Sequence, residues 1–425
     1  MFGLTRRPTL AEHILNDTAD TAHTFTAASL ADAGLSASGL DRLTAVMQRE
    51  VDADHVPGVS MLIARGGKLA YRHDMGTLRS GGPPLSADAI FRIFSMTKPV
   101  VSVALMMLVE EGRLFISDPV VKFVSAFAAP QVGVETNGRL ELVPAKRAIT
   151  IQDLLRHTSG LAYAFTGKSA VQRLYGASKL FAPDPTNAKT QLERDLDTAE
   201  FVTELAKLPL IDQPGEAWNY GHSTDVIGRL VEIVSGQSLG EFLHQRIFAP
   251  LGMNDTSFLL TPDKYARVAE PLQTDPDSGK PVQLVVKETK QRFESAGGGL
   301  WSTMDDYLRF AQMLYRGGTL GGTGIVGRKT LSFTASNHLG PHVRNGNPSL
   351  LPPGHGFGLG FAVRLEPGMA TTPGTPGEFY WGGLAGTVFW IDPQEELIAM
   401  MMIQAPGQRD YYRQLFRNLV HAALT

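Results

Sequence analysis

Apolar residues at Leu40, Leu43, Val46, Met47 and Val51 return at three- and four-residue intervals behind Ser38. That spacing predicts an amphipathic helix with Ser38 as its cap. The period then changes. Two short strand-like runs, 59–64 and 69–72, flank Gly66-Gly67 and predict a β-hairpin. Residues 100–109 are almost wholly apolar and predict a core helix that starts at Ser95 and stops at Gly112, a left-handed cap. Residues 113–150 read as loops and short pieces, 151–155 as a helical start running into His157-Thr158-Ser159-Gly160, and 165–198 as an irregular lid or cleft wall. Ser223 is placed to cap a second apolar helix carrying Val226, Ile227, Leu230, Val231 and Val234. Ser302-Thr303-Met304-Asp305 has capping-box spacing at the head of a third. Strand patterns return at 357–365, 379–381, 386–391 and 396–403, and a helix over 409–424 closes the chain.

Strands thus gather at both ends of the sequence and helices fill the middle. One antiparallel sheet built from both ends, with helices inserted between, is an α+β arrangement. On this reading residues 1–37 are an N-terminal extension. Residues 38–90 and 290–425 make a discontinuous sheet lobe, and 91–289 a helical lobe. The active site is expected between the lobes, where ligand clefts commonly lie, and Ser95 falls at that boundary.

Composition narrows the chemistry. The 425 residues contain no cysteine, which excludes disulfides, thiolate metal sites and cysteine nucleophiles. A net charge of -3 gives no electrostatic case for nucleic acid or an anionic membrane. The longest apolar runs, near 99–109 and 397–403, are shorter than a membrane span. The N-terminal residues lack the continuous apolar run of a secretory signal, so a cytoplasmic protein is expected.

Three stretches carry candidate chemistry. In Ser95-Met96-Thr97-Lys98 a hydroxyl and an amine share one helix face. A buried lysine can activate serine without histidine. Ser95 at a helix start also offers its own N–H to an oxyanion. The alternative is that Ser95 is simply a cap. In the turn-rich run from Pro214 to His222, Tyr220 precedes a helix N-terminus, where a polarised phenol is favoured. It could exchange protons with serine and leaving group, or be an ordinary loop aromatic. Trp381-Gly382-Gly383-Leu384-Ala385-Gly386 puts three glycines into strand-like sequence. Close approach of a ligand to bare backbone is one reason for them, and a β-bulge is another.

Together, in this order, these stretches resemble the serine β-lactamase and penicillin-binding-protein-like superfamily, and within it the family VIII carboxylesterases, which are similar to class C β-lactamases. Leu155-Arg156-His157-Thr158-Ser159-Gly160-Leu161, Pro214-Gly215 and Pro250-Leu251-Gly252-Met253 add to the resemblance, which spans about 38–420. It implies a β-lactamase/transpeptidase-like fold, a central antiparallel sheet flanked by helices with an all-helical lobe. It implies Ser95 as acylated nucleophile, Lys98 with Tyr220 as acid/base pair, and an oxyanion hole from the N–H groups of Ser95 and Leu384. It also suggests that Tyr163 and Phe165 line the cleft. Neither a cofactor nor a metal is implied. Two departures matter. Trp381-Gly382-Gly383 stands where β-lactamases carry Lys-Thr-Gly, which removes an ammonium that pairs with substrate carboxylates and favours neutral esters. His222 stands where that pattern has asparagine, and is either a hydrogen-bond donor or a residue outside the contact shell.

The expectation is a serine carboxylesterase for short-chain neutral esters, acting on a small-molecule ester through an acyl-enzyme, with weak β-lactam hydrolysis as a side reaction. Which of Lys98 and Tyr220 is the base stays open, because coupled groups share their titration. A β-lactamase or D-amino-acid peptidase, an acyltransferase, and a silent binding protein on the same fold are the alternatives. Gly236-Gln237-Ser238-Leu239-Gly240 matches a nucleophile elbow, but it follows a helical stretch where the elbow requires a strand, and reads as that helix's stop. His338 and His342 are separated by Gly-Pro and lack nearby acids, against a zinc site.

Overall fold

The structure is a computed structural model and describes residues 26–27, 30, 32–178, 180, 186, 196–284 and 292–425. The expected extension over 1–37 falls largely outside the described residues, as does much of 165–198.

The central sheet takes its strands from both ends of the chain. They are β1 (Thr26–Ala27), β2 (Gly58–Arg65), β3 (Lys68–Gly76), β4 (His355–Phe357), β5 (Ala362–Arg364), β6 (Phe379–Gly382), β7 (Val388–Asp392) and β8 (Leu397–Met402). Their order is β1-β3-β2-β8-β7-β6-β5-β4. Every pair is antiparallel except the short edge pair of β1 with β3. The junction of the two chain ends is β2 with β8, in register from Met402 opposite Ser60 to Leu397 opposite Arg65. The α+β expectation is therefore borne out.

Alternation along these strands divides the core. Leu62, Ala64, Ile398, Met400 and Met402 face the large core with most of the helices. Met61, Ile63, Leu397, Ala399 and Met401 face a second core. That core is closed by α1 (Ala37–Asp52), through Leu40, Leu43 and Met47, and by the C-terminal helix Arg409–His421, through Tyr412, Phe416 and Val420. On the large-core side, α2 (Thr97–Glu110) is buried at every residue from Thr97 to Leu108, as its unbroken apolar run requires. Around it lie α3 (Ile151–Leu155), α4 (Ser223–Ser235) and α5 (Met304–Tyr315); the C-terminal helix is α6. Among the described residues no helix is long and apolar enough to cross a membrane.

The hairpin at Gly66-Gly67 forms as expected, both glycines having positive φ. Gly112, with φ +69, ends α2. Several boundaries differ. Ser36, not Ser38, caps α1 by accepting the Gly39 N–H. At α4 the cap position is His222, and the Ser223 hydroxyl instead meets that of Ser159 at 2.8 Å. Thr303, not Ser302, caps α5 by accepting the Asp306 N–H, and the Asp306 carboxylate turns away to Asp255 and Thr256. The stretch 357–365 is two strands, because Gly360 at φ +100 turns the chain back between β4 and β5. Within 113–150 a hairpin pairs Gln131–Thr136 with Arg139–Pro144. Asn137-Gly138 at its tip, both at positive φ, is a strong hairpin signal that the mixed polarity of the flanks obscured. A helix at Ala170–Ala177, with a Ser169–Gln172 capping box, lies inside the stretch read as irregular.

Candidate active site

Ser95 sits in a single 3-10 turn, Phe94–Met96, that leads directly into α2. The turn is pinned residue by residue. Gln404 donates to the Arg92 carbonyl, the Ile93 N–H donates to the Leu300 carbonyl, Tyr307 donates to the Met96 carbonyl, and Thr97 receives the Leu300 N–H. Phe94 is held at φ +43, a conformation that costs a bulky residue about 1–3 kcal/mol and persists only where surroundings impose it. The Arg92 guanidinium lies 4.5 Å over its ring. The strain therefore sits one residue before the candidate nucleophile.

One turn later Lys98 is 1% exposed. Its ammonium faces three oxygens: Gly297 O at 2.5 Å, Tyr163 Oη at 3.1 Å and Ser95 Oγ at 3.2 Å. Nζ also lies 4.6 Å from the centre of the Tyr220 ring. With two donors held by Gly297 and Tyr163, a neutral amine has its lone pair left for the Ser95 proton.

Tyr220 is buried beside Lys98. Its hydroxyl accepts from Trp381 Nε1 at 3.2 Å, and its backbone N–H is held by Asn347 Oδ1 at 2.7 Å. The phenol hydrogen-bonded to Lys98 is Tyr163, which the sequence placed in the cleft without a role. Burial, then the nearby Asp225 charge, pushes the Tyr163 hydroxyl well above the usual phenol range, so it is neutral here. His157, under Tyr220 at 4.9 Å between ring centres, is pushed well below the imidazole range by burial and then by the charges of Lys98 and His222. Phe165 stacks on Tyr163 at 4.9 Å and is 53% exposed, an apolar rim on the open side.

His222 stands behind the site. Its Nδ1 meets Asp225 Oδ2 at 2.8 Å and its ring packs edge-on against Tyr163 at 4.3 Å. Asp225 is 1% exposed and also accepts the Gly297 N–H at 2.8 Å and the Ser295 hydroxyl at 3.0 Å. Burial pushes its carboxyl up, but the His222 bond, the His222 and Lys98 charges and the Gly297 N–H outweigh it and hold the group below the usual carboxylate range. Gly297 thus joins a buried anion through its N–H to the Lys98 ammonium through its carbonyl. A Cβ there would lie 2.8 Å from Tyr163 Oη and 2.9 Å from Asp225 Oδ2. Asp225 was missed because an acid in the first turn of a helix reads as a solvated charge. The Gly297-Gly298-Gly299 run was the available signal for a close approach.

Trp381-Gly382-Gly383 ends β6 and docks on the serine turn. Gly383 has no room for a side chain, since its Cβ would lie 2.3 Å from the Ile93 carbonyl. The Thr387 hydroxyl donates to that same carbonyl at 3.3 Å. Among the described residues, neither the Ser95 nor the Leu384 backbone N–H has an acceptor. The structure thus links Ser95, Lys98, Tyr220 and Trp381 by contact, sets Gly383 against the serine turn and packs Leu384 in the cluster of Phe94, with His222 one layer behind; Gly382 faces Arg413. Ser238 takes a different part. Its hydroxyl accepts the Glu241 N–H at 3.2 Å and caps the short helix Leu239–Leu243.

Comparison with known proteins identifies the family and the fold. The sequence profile named Beta-lactamase matches residues 43–424. The chain belongs to the Beta-lactamase family. It is 34% identical to Protein Rv1367c of Mycobacterium tuberculosis over 86% of this chain and 90% of that protein. It is 31% identical to Esterase EstB of Burkholderia gladioli over 87% and 92% of the two. Among solved structures it is similar to EstCE1, described as a hydrolase with promiscuous acyltransferase activity, with a TM-score of 0.74 at 26% identity over 90% and 98% of the two chains. The resemblance read from the motifs is borne out, and the fold is the β-lactamase/transpeptidase-like one that it implied.

Proposed function

We propose that the protein is a serine carboxylesterase that hydrolyses short-chain neutral esters through an acyl-enzyme on Ser95. The carrying observation is the buried Lys98 amine with the Ser95 hydroxyl at 3.2 Å and its other two donors held by Gly297 and Tyr163. Ser95 Oγ attacks the ester carbonyl and its proton passes to Lys98. The carbonyl oxygen, now an oxyanion, is received by the Ser95 and Leu384 N–H groups. On collapse the C–O bond to the alcohol breaks, and the proton returns from Lys98 to the leaving alkoxide, while Tyr220, its hydroxyl held by Trp381 Nε1, walls the same side of the amine. Water repeats the sequence on the acyl-enzyme. The Gly297 carbonyl and the Tyr163 hydroxyl hold the amine throughout, and the Tyr163 phenol keeps its proton.

Trp381 in place of an ammonium supports neutral substrates, and the similarity to an esterase agrees. Acyl transfer is the second reading. It is favoured by the half-exposed apolar rim at Phe165, where an alcohol could replace water, and by the similarity to EstCE1. Incubation with a slowly released acyl donor, followed by intact mass and peptide mapping, tests the main reading. One acyl group on Ser95 is expected. An adduct on any other serine, or turnover of a cephalosporin but not of a nitrophenyl ester, overturns it. A competing alcohol that captures the acyl group as a new ester would move the assignment to acyltransferase.

A further inference from the structure

The C-terminal helix α6 reaches the site from behind through one side chain. Arg413 Nη2 donates to the Gly383 carbonyl and, at 3.2 Å, to the Thr387 carbonyl. The Gly383 carbonyl also receives the Gly386 N–H at 3.0 Å. The seat for the guanidinium is the side chain that Gly382 lacks. A Cβ at that position would lie 2.6 Å from Arg413 Nη2 and 2.7 Å from its Cζ. The glycine at 382 is therefore explained neither by a ligand nor by a bulge: an arginine fills its space.

The consequence concerns the next bond. In a trans peptide the C=O and N–H of one unit point in opposite directions. Tying the Gly383 carbonyl toward α6 turns the Leu384 N–H away from α6, and among the described residues nothing accepts it. A cation on the carbonyl end also draws charge through the peptide and makes its N–H a stronger donor. The guanidinium remains protonated at neutral pH, since burial lowers it only to about 10. Its acidic neighbour, Asp410, is 3.8 Å away and largely exposed, which leaves the charge directed at the two carbonyls.

We propose that Arg413 is a positioning residue for the oxyanion hole, its guanidinium fixing and polarising the Gly383–Leu384 peptide so that the Leu384 N–H meets the developing oxyanion. The inference rests on the esterase reading of Ser95. It also places a cation behind the strand from which the β-lactamase-type lysine is missing, where it acts on backbone instead of on a substrate carboxylate.

The test compares wild type, Arg413→Met and Arg413→Lys on a short-chain nitrophenyl ester, with fluorophosphonate labelling of Ser95 and a thermal melt of each. Arg413→Met is expected to lower kcat by about 10²-fold, the scale for losing one oxyanion donor, with KM changed less than about threefold. Arg413→Lys keeps the charge but should recover only part, because the lysine side chain is shorter than the reach to Nη2 and its ammonium is more strongly hydrated. Should Arg413→Met not fold, Gly382→Ala carries the same test, since its methyl occupies the guanidinium's seat. Wild-type kcat in the folded variant, or a loss confined to KM, overturns the inference. Absence of label on Ser95 in wild type overturns the esterase reading instead, so the two failures are distinct.

Discussion

Two serines in this chain open helical segments within sequence motifs that promise catalysis, and the molecule treats them in opposite ways. The Ser238 hydroxyl accepts the Glu241 N–H, and the Glu241 carboxylate accepts the Ser238 N–H, a closed capping box on an exposed turn. Ser95 caps nothing. Its turn is held by other residues' bonds, so its hydroxyl is left to Lys98 and its N–H is left without an acceptor among the described residues. A polar group at a helix start can satisfy the backbone or remain available for a ligand, and seldom does both. What separates the two serines is which neighbours relieve them of structural duty.

Substitution at the two positions gives the widest expected separation. Ser95→Ala should remove fluorophosphonate labelling and lower ester turnover on the order of 10³-fold or more, with the melting temperature nearly unchanged. Ser238→Ala should leave kcat alone and cost about 1 kcal/mol of stability, the usual worth of such a cap. Equal loss of turnover in both would erase the contrast. Lys98→Met tests the same contrast from the base side. It keeps the buried volume and should lower kcat by about 10²–10⁴-fold, the range for general-base removal. A Lys98→Met enzyme with normal turnover would mean that the Ser95 hydroxyl is activated by another group.

The cap of α3 supplies a smaller, pH-dependent effect. Asp153 answers Thr150 in a capping box and pairs with Arg147 at 2.5 Å and Arg156 at 3.1 Å. Burial pushes its carboxyl up, but the Arg147 and Thr150 bonds outweigh it and bring it down to about 2 from 3.8. A depressed carboxyl adds stability above its unfolded value and loses it as pH falls through the folded value. Asp153 should therefore contribute about 2 kcal/mol at neutral pH, declining between about pH 4 and 2. Urea midpoints for wild type and Asp153→Asn should differ at pH 6 and converge near pH 2. A constant difference across that interval would refute the assignment.

Much of this was legible along the chain. The short unbroken apolar run 397–402 and the turn at Gly66-Gly67 were enough to predict strands from both chain ends, because a short apolar run bounded by turns fits a strand buried on both faces. The spacing of Ser95 and Lys98 on one helical face follows from helix geometry alone, and it marked the candidate nucleophile. Cap positions were misplaced by one or two residues at Ser36 and Thr303, since neighbouring serines and threonines offer equivalent hydroxyls and only the surrounding contacts choose among them, and at α4, where Ser159 engages the Ser223 hydroxyl. The hairpin at Asn137-Gly138 was present as a turn signal but lacked the apolar alternation that would have supported it.

Local periodicity, then, determined the sheet, the main helices and the serine–lysine pair, because those depend on residues a few positions apart. Asp225 on Gly297, Tyr163 on Lys98 and Arg413 behind Gly383 were decided only by tertiary structure. Each is a contact between segments far apart in the chain, made by a charged or phenolic group whose partner is a backbone amide or a buried side chain. Backbone partners leave no mark in residue type beyond the glycine that makes room for them. That is why the glycines at 297 and 382 were visible in the sequence and their purpose was not.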